Sequence, residues 1–244
     1  LAKIFITGSS DGIGLLAAEI LLGKGAEVVL HARNKQRAKE VLEKFETKPK
    51  ILVADLLDID QIENLAEEVN ALGDFNAVIH NAGVYKSTNK EIFQMNLLAP
   101  YLLTNLIKRP KRLIYIGSNM HPGGKLDIDD LSLEKGIDYS TSKLYILMLC
   151  LALARRWKDT CINTVDPGWV PTKMANYNAP DSLEEGSATQ AWLAWDKNID
   201  FTGKYLFHLK ERSYFPKADD ELLQEKLLKK LEEISGIAQI RQNI

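Results

Sequence analysis

Tyr139 and Lys143 stand four residues apart. On a helix that spacing stacks two side chains on one face, one turn apart. A free tyrosine hydroxyl titrates near ~10, too high for easy proton exchange at neutral pH. An ammonium beside it favours the phenolate, so the expectation is that Lys143 pulls Tyr139 down. The pair would then serve as a general acid/base at a carbonyl or an alcohol. A chain with eight tyrosines and many lysines supplies close to one such pair by chance. The argument therefore depends on the elements that would hold the pair.

A composition of 45% hydrophobic and 26% charged residues over 244 residues is that of an ordinary globular chain. A net charge of −2 argues against nucleic-acid binding through bulk electrostatics. Cys150 and Cys161 lack metal-ligand spacing and sit in apolar runs, so they read as core thiols. No metal site is expected. The longest apolar run, residues 144–154, is too short to span a bilayer, and no signal-peptide pattern precedes the first strand. The expectation is a cytoplasmic protein without a membrane span.

Apolar runs and helical periodicity alternate along the chain. Residues 3–7 read as a buried strand that enters Gly8-Ser9-Ser10-Asp11-Gly12-Ile13-Gly14, and a helix to about Gly23 follows. A strand, a glycine-rich turn and a helix form the context of a dinucleotide loop: the glycines admit a pyrophosphate, and the helix N-terminus offers it free N–H groups. Residues 27–31 make the second strand. No acid follows it, and Arg33 is available for a 2′-phosphate. Further strands are expected at 50–54, ending in Asp55-Leu56, and at 75–80, ending in Asn81-Ala82-Gly83. Residues 91–108 read as one long helix carrying Asn96, either a satisfied core amide or a placed active-site group. A strand at 112–117 ends at Ser118, and residues 120–137 read as a loop over the site. The helix opening at Tyr139 is followed by a strand at 160–166 and a rigid turn, Pro167-Gly168-Trp169-Val170-Pro171-Thr172. A helix at 182–195, a strand at 203–209 and a helix at 219–234 complete the chain. This alternation indicates an α/β fold: a single Rossmann-type doubly wound domain over residues 1–244, with about seven parallel strands and helices on both faces. The substrate pocket is expected between loops 120–137 and 173–181. The helix over 144–154 is apolar on every side, so a second subunit is expected to cover the face away from the sheet, giving a homodimer or homotetramer, with cover by the C-terminal segment as the alternative.

Taken together these stretches resemble the short-chain dehydrogenase/reductase family. Thr7-Gly8-Ser9-Ser10-Asp11-Gly12-Ile13-Gly14 matches its cofactor loop and Asn81-Ala82-Gly83 its N-A-G motif. Asn96, Ser118, Tyr139 and Lys143 fall in order where the family keeps its catalytic tetrad, Pro167, Gly168, Val170 and Thr172 match its nicotinamide-side loop, and Asp55-Leu56 its adenine contact. The 21-residue gap between Ser118 and Tyr139, the helix end at Ala154-Arg155-Arg156-Trp157 and the segment 201–205 look most like the retinol-dehydrogenase-like branch. The resemblance implies hydride transfer between a nicotinamide and a small-molecule carbonyl or secondary alcohol, Tyr139 giving the proton, Lys143 holding the nicotinamide ribose, Ser118 the substrate oxygen and Asn96 a water. Arg33 points to NADP(H) over NAD(H), while Asp11 stands where many NADPH users carry Arg or Lys. Two other readings share the motifs: a non-catalytic dinucleotide sensor, and an epimerase or dehydratase acting on nucleotide-linked sugars, which usually needs a larger C-terminal domain.

Overall fold

A computed structural model describes residues 1–173 and 177–237. The expected strands appear as β1 (Lys3–Ile6), β2 (Glu27–Ala32), β3 (Lys50–Val53), β4 (Ala77–His80), β5 (Arg112–Ile116), β6 (Cys161–Asp166) and β7 (Lys204–Phe207), all parallel. One short strand was not expected: β8 (Lys210–Glu211) turns back antiparallel on β7. The sheet order is β3-β2-β1-β4-β5-β6-β7-β8. The chain reverses direction of growth between β1 and β4, the point in a doubly wound sheet where a crevice opens beyond the strand ends.

Strand side chains alternate between the two faces. Ile4 and Ile6 pack with Leu30, Ile79, Ile114 and Val165 under helices α1 (Gly12–Gly23) and α7 (Leu183–Trp195). Phe5, Val29, Val78, Leu113 and Ile162 point the other way. They pack under α3 (Ile59–Ala71), α5 (Ala99–Leu106) and α6 (Tyr139–Arg156). The remaining helices are α2 (Lys35–Leu42), α4 (Asn89–Phe93) and α8 (Glu221–Ser235).

Two expectations need correction. The helix expected over 91–108 is broken by a π-helical turn, Gln94–Leu98, between α4 and α5. Pro100 has no N–H to give the Asn96 carbonyl four residues back, and the Ala99 N–H bonds the Gln94 carbonyl in the wider register. The second concerns α6. Residues 144–154 are all buried within one chain, because α8 lies across the face away from the sheet and contributes Leu227, Leu228 and Leu231. Arg155 and Arg156 at the end of α6 pair with Glu221 and Glu225 of α8. The apolar face that motivated a second subunit is thus covered by the chain itself.

Candidate active site

The cofactor-side half is built mostly from backbone. Gly8 has φ +63°, and a Cβ there would stand 2.8 Å from the Ala82 Cα. A Cβ on Gly14 would lie 2.3 Å from Asn81 Nδ2 and 2.6 Å from the Gly8 carbonyl. The loop after β1 and the loop after β4 therefore touch only because side chains are missing. The Thr7 hydroxyl accepts from the N–H groups of Asn81 (3.0 Å) and Ala82 (3.1 Å). Asn81 Nδ2 in turn donates to the carbonyls of Thr7 (3.0 Å) and Gly8 (3.1 Å). Threonine, asparagine and glycine here are structural clasps that shape the crevice. Ile13 and Gly14 open α1, and Gly12 lies against Thr172 of the turn after β6, so the two expected cofactor stretches meet.

His31 is a site residue that motif matching passes over. Its Nδ1 accepts the Gly8 N–H at 3.0 Å, and its Nε2 lies 3.0 Å from the Ala54 carbonyl. Accepting at Nδ1 puts the proton on Nε2, which donates to Ala54. Burial pulls the imidazole down to about 4, so the ring is neutral at working pH and ties together the ends of β1, β2 and β3. An imidazole at the tip of a strand beside a glycine loop was the available signal. Ser9 was expected among the cofactor-binding residues, but its hydroxyl faces inward, donating to Ile6 O and accepting from His31 N, both at 2.9 Å. Ser10 is half-buried in the loop. Leu56 is buried, and Asp55 spends one carboxylate oxygen on the Leu57 N–H at 3.1 Å.

Asp11 and Arg33 fall on the adenosine side. Arg33 is exposed and forms no ion pair among the described residues. Asp11 caps α1 by accepting from Gly12 N at 2.9 Å, and it pairs with Arg37 (3.0 Å) and Lys173 (2.6 Å). Its carboxylate is held below the usual range: burial opposes the shift, and the contacts with Lys173, Gly12 and Arg37 outweigh burial. The negative charge feared at this position thus arrives already matched by two cations.

The catalytic half collects at the ends of β5 and β6. Asp138 caps α6 by accepting the Thr141 N–H at 2.8 Å, which fixes where the helix starts and so where Tyr139 points. The Ser118 side chain stands near the Tyr139 hydroxyl and favours its charged form, while Ser118 Oγ accepts the Met120 N–H at 3.2 Å. Lys143 Nζ lies 5.4 Å from the Tyr139 ring centroid and donates to the Ile116 carbonyl at 2.8 Å. Gly83 lies alongside: a Cβ on it would be 3.8 Å from Lys143 Nζ and 3.2 Å from Asn96 Oδ1. The expectation that Lys143 depresses Tyr139 fails here. Burial pushes the phenol up to about 12, against the effect of nearby Ser118, and burial pulls the ammonium of Lys143 down to about 8. Burial is the largest cause of both shifts, and one N–H of Lys143 goes to a carbonyl of β5. The Tyr139 hydroxyl therefore keeps its proton at neutral pH. Tyr85 leans edge-on against it, with ring centroids 4.7 Å apart.

The side chain of Asn96 is engaged within the core. Oδ1 accepts from Val84 N (2.8 Å), and Nδ2 donates to Val84 O (2.9 Å) and Ser142 Oγ (3.1 Å). Its amide pins the segment after Gly83 to α6, and both of its N–H groups are used within the protein. The segment 120–137 is more than a loop over the site. His121 is buried, takes the Phe215 N–H on Nε2 at 3.0 Å and gives its Nδ1 proton to the Ser118 carbonyl at 2.8 Å. The Lys125 N–H donates to the Thr141 hydroxyl at 3.0 Å, closing the insert onto α6. After β6, Pro167 and Gly168 turn the chain: Asp166 Oδ1 accepts the Gly168 N–H at 3.0 Å and Asp181 the Trp169 N–H at 2.6 Å. Val170 is buried and Thr172 donates to its carbonyl at 2.8 Å. The pocket loop expected over 173–181 includes residues 174–176, which lie outside the described residues. Among the described residues no cluster fit for a metal occurs.

A dinucleotide fits the residues present. The crevice at the switch point is floored by side-chain-free backbone, with a helix N-terminus at one end and an unpaired guanidinium beyond β2.

A family model described as short chain dehydrogenase matches residues 2–119. A short-chain dehydrogenase of Penicillium rubens, chyC, is 40% identical, over 97% of this chain and 98% of its own length. Retinol dehydrogenase 14 of mouse is 27% identical over 96% of this chain and 86% of its own. A solved structure from Shigella flexneri, assigned as a short chain dehydrogenase and complexed with NADP, superposes with a TM-score of 0.68 at 22% identity, covering 86% of this chain and 97% of its own. The glycine clasp after β1, the Tyr139–Lys143 pair on α6 and these full-length similarities make the chain a member of the short-chain dehydrogenase family, and an oxidoreductase.

Proposed function

We propose that the protein moves a hydride between NADP(H) and a carbonyl or secondary-alcohol substrate, with Tyr139 as the general acid/base. The observation that carries this reading is the placement of Tyr139 at the start of α6, buried near Ser118 and with Lys143 Nζ 5.4 Å from its ring centroid. A bound nicotinamide supplies the hydride chemistry. Thr7, Gly8, Gly12, Ile13 and Gly14 shape the pyrophosphate crevice together with Asn81, Ala82 and Gly83. Lys143, with two N–H groups beyond its bond to Ile116, holds the nicotinamide ribose. Pro167, Gly168, Val170 and Thr172 line the nicotinamide side. In the reducing direction Ser118 orients the carbonyl oxygen, and Tyr139 delivers its proton there as negative charge develops.

NADP(H) preference rests on Arg33, an unpaired guanidinium where a 2′-phosphate would lie, with no carboxylate at the tip of β2. The Shigella flexneri structure with NADP is consistent with it. Among the described residues no helix is long and apolar enough to cross a membrane. A cytoplasmic location fits the two free thiols. Self-association, if it occurs, must use a surface other than the face of α6 that α8 covers.

The test is Tyr139→Phe, which keeps the ring and removes the proton. Turnover across a carbonyl panel should fall by about two to four orders of magnitude, with NADPH affinity nearly unchanged. Near-normal turnover in the variant would overturn the assignment.

A further inference from the structure

Behind the reacting pair lies a charged group that this mechanism does not use. Asp166 ends β6, and its side chain is 1% exposed. One carboxylate oxygen accepts the Gly168 N–H at 3.0 Å, and the other faces Arg212 Nη1 at 3.4 Å. Arg212 comes from beyond β8 and is 46% exposed. A buried carboxylate with one long ion-pair contact is poorly explained by stability, since desolvation offsets most of what such a pair returns. The sheet register suggests another use. Ile116 of β5 pairs with Val165 of β6, so Asp166 stands one residue beyond the carbonyl that holds Lys143 Nζ. Adjacent strands are about 4.8 Å apart, which places a buried carboxylate within electrostatic reach of a buried ammonium that has no ion pair of its own among the described residues.

We propose that Asp166 is a positioning residue for the reaction: its charge keeps Lys143 an ammonium, and Arg212, at the solvent edge, sets how much of that charge Lys143 feels. The claim about the reaction rests on the role given to Lys143 above; the charge coupling can be measured without it. The groups around Asp166 are Lys143 and Tyr139 on α6, Tyr205 on β7, His121 of the insert, and Arg212. Burial alone would push Lys143 toward its neutral form, and the field of Asp166 opposes that. The same field holds the proton on Tyr139. One carboxylate thus favours the protonated form of both reacting groups, which suits delivery of a proton to a carbonyl oxygen.

The sign is fixed by charge. Asp166→Asn keeps the acceptor for Gly168 and removes the negative charge, so Lys143 should lose its proton at lower pH. Arg212→Met removes the opposing positive charge, so Lys143 should lose its proton at higher pH. The measurement is the titration of Lys143 in cofactor-free protein carrying ¹³Cε-lysine, its signal assigned by its loss in Lys143→Arg. The expected result is a midpoint lowered by about one pH unit in Asp166→Asn and raised in Arg212→Met. Loosened packing would move both variants in one direction, so shifts of the same sign would overturn the proposal. A midpoint in Asp166→Asn within about 0.2 unit of the unmodified protein would overturn it too. If Asp166→Asn fails to fold, the direction seen in Arg212→Met decides. The pH profile of kcat/KM is then compared in both variants: a limb that follows Lys143 supports the positioning role, and a stationary limb refutes it. Opposite midpoint shifts in a protein that turns over no carbonyl would instead refute the proposed function and leave the coupling standing.

Discussion

The two halves of the crevice are held by different kinds of contact. On the cofactor side, from β1 to β4, the contacts are clasps between backbone and small side chains: Thr7 to Asn81 and Ala82, Asn81 to Gly8, His31 to Gly8 and Ala54. On the catalytic side, from β5 to β8, the reacting groups lean on large side chains from distant sequence. His121 joins Ser118 to Phe215, and Asp166 joins Gly168 to Arg212. The first half must present a shape, and backbone is the stiffest way to make one. The second must present charges of set value, and those are tuned by what is buried next to them.

This contrast breaks first at Gly14. In Gly14→Ala the new methyl meets Asn81 Nδ2 and the Gly8 carbonyl, neither of which can yield without opening the clasp. Overpacking of this kind costs about 3 kcal/mol. The expected outcome is NADPH affinity weakened by about two orders of magnitude, measured by fluorescence titration. Lys143 should still titrate as in the unmodified protein. A change confined to turnover, with affinity intact, would mean that the two halves are not separable in this way.

His121→Leu probes the other half. It leaves the half-buried Phe215 N–H without its acceptor and frees the Ser118 backbone from its imidazole. A buried group left unsatisfied costs about 1–3 kcal/mol. If about half of that appears as misplacement of Ser118, kcat falls by roughly three- to tenfold, while the dissociation constant of NADPH stays unchanged. Loss of cofactor binding with kcat preserved would contradict the division drawn here.

The same contrast explains how much could be read from sequence. The clasp residues are contiguous with the strands that carry them, and their types announce a role: glycine where a methyl would collide, threonine and asparagine where backbone needs a partner. Periodicity placed the seven parallel strands because most of them carry a run of apolar residues into the core; β3, at the sheet edge, buries only Leu52. The residues proposed for catalysis could be named from their motifs as well, but their supports could not. Nothing in the segment 120–137 marks His121 as the neighbour of a backbone N–H 94 residues away. The direction of the Tyr139 shift was misjudged because an i, i+4 pair on paper carries no information about burial. The cover of α6 by α8 was weighed only as an alternative, because an amphipathic helix does not name the surface it lies on. The broken helix at Gln94–Leu98 has a visible cause in Pro100, which the reading of one long helix over 91–108 did not use.

The smallest effect is expected at Asp11, and it sharpens the comparison on the adenosine side. Arg33 forms no ion pair among the described residues, which leaves its fork open to a phosphate. A hydrogen bond to a charged group contributes ~1.5–3 kcal/mol, or roughly one to two orders of magnitude in affinity. Arg33→Leu should cost NADPH that much and leave NADH almost unaffected, and adding Ala32→Asp should reverse the preference. Asp11 is the position where opposition to a phosphate was anticipated. Its carboxylate is already shared between Arg37 and Lys173, and all three side chains are substantially exposed. Exposed ion pairs of this kind contribute about 0.2–1 kcal/mol, and solvent screens what remains of the charge. Asp11→Asn should therefore change the ratio of NADPH to NADH affinity by less than about fivefold, measured by parallel titrations at fixed ionic strength. A tenfold or larger rise in NADPH preference would show that Arg37 and Lys173 do not shield the cofactor from Asp11.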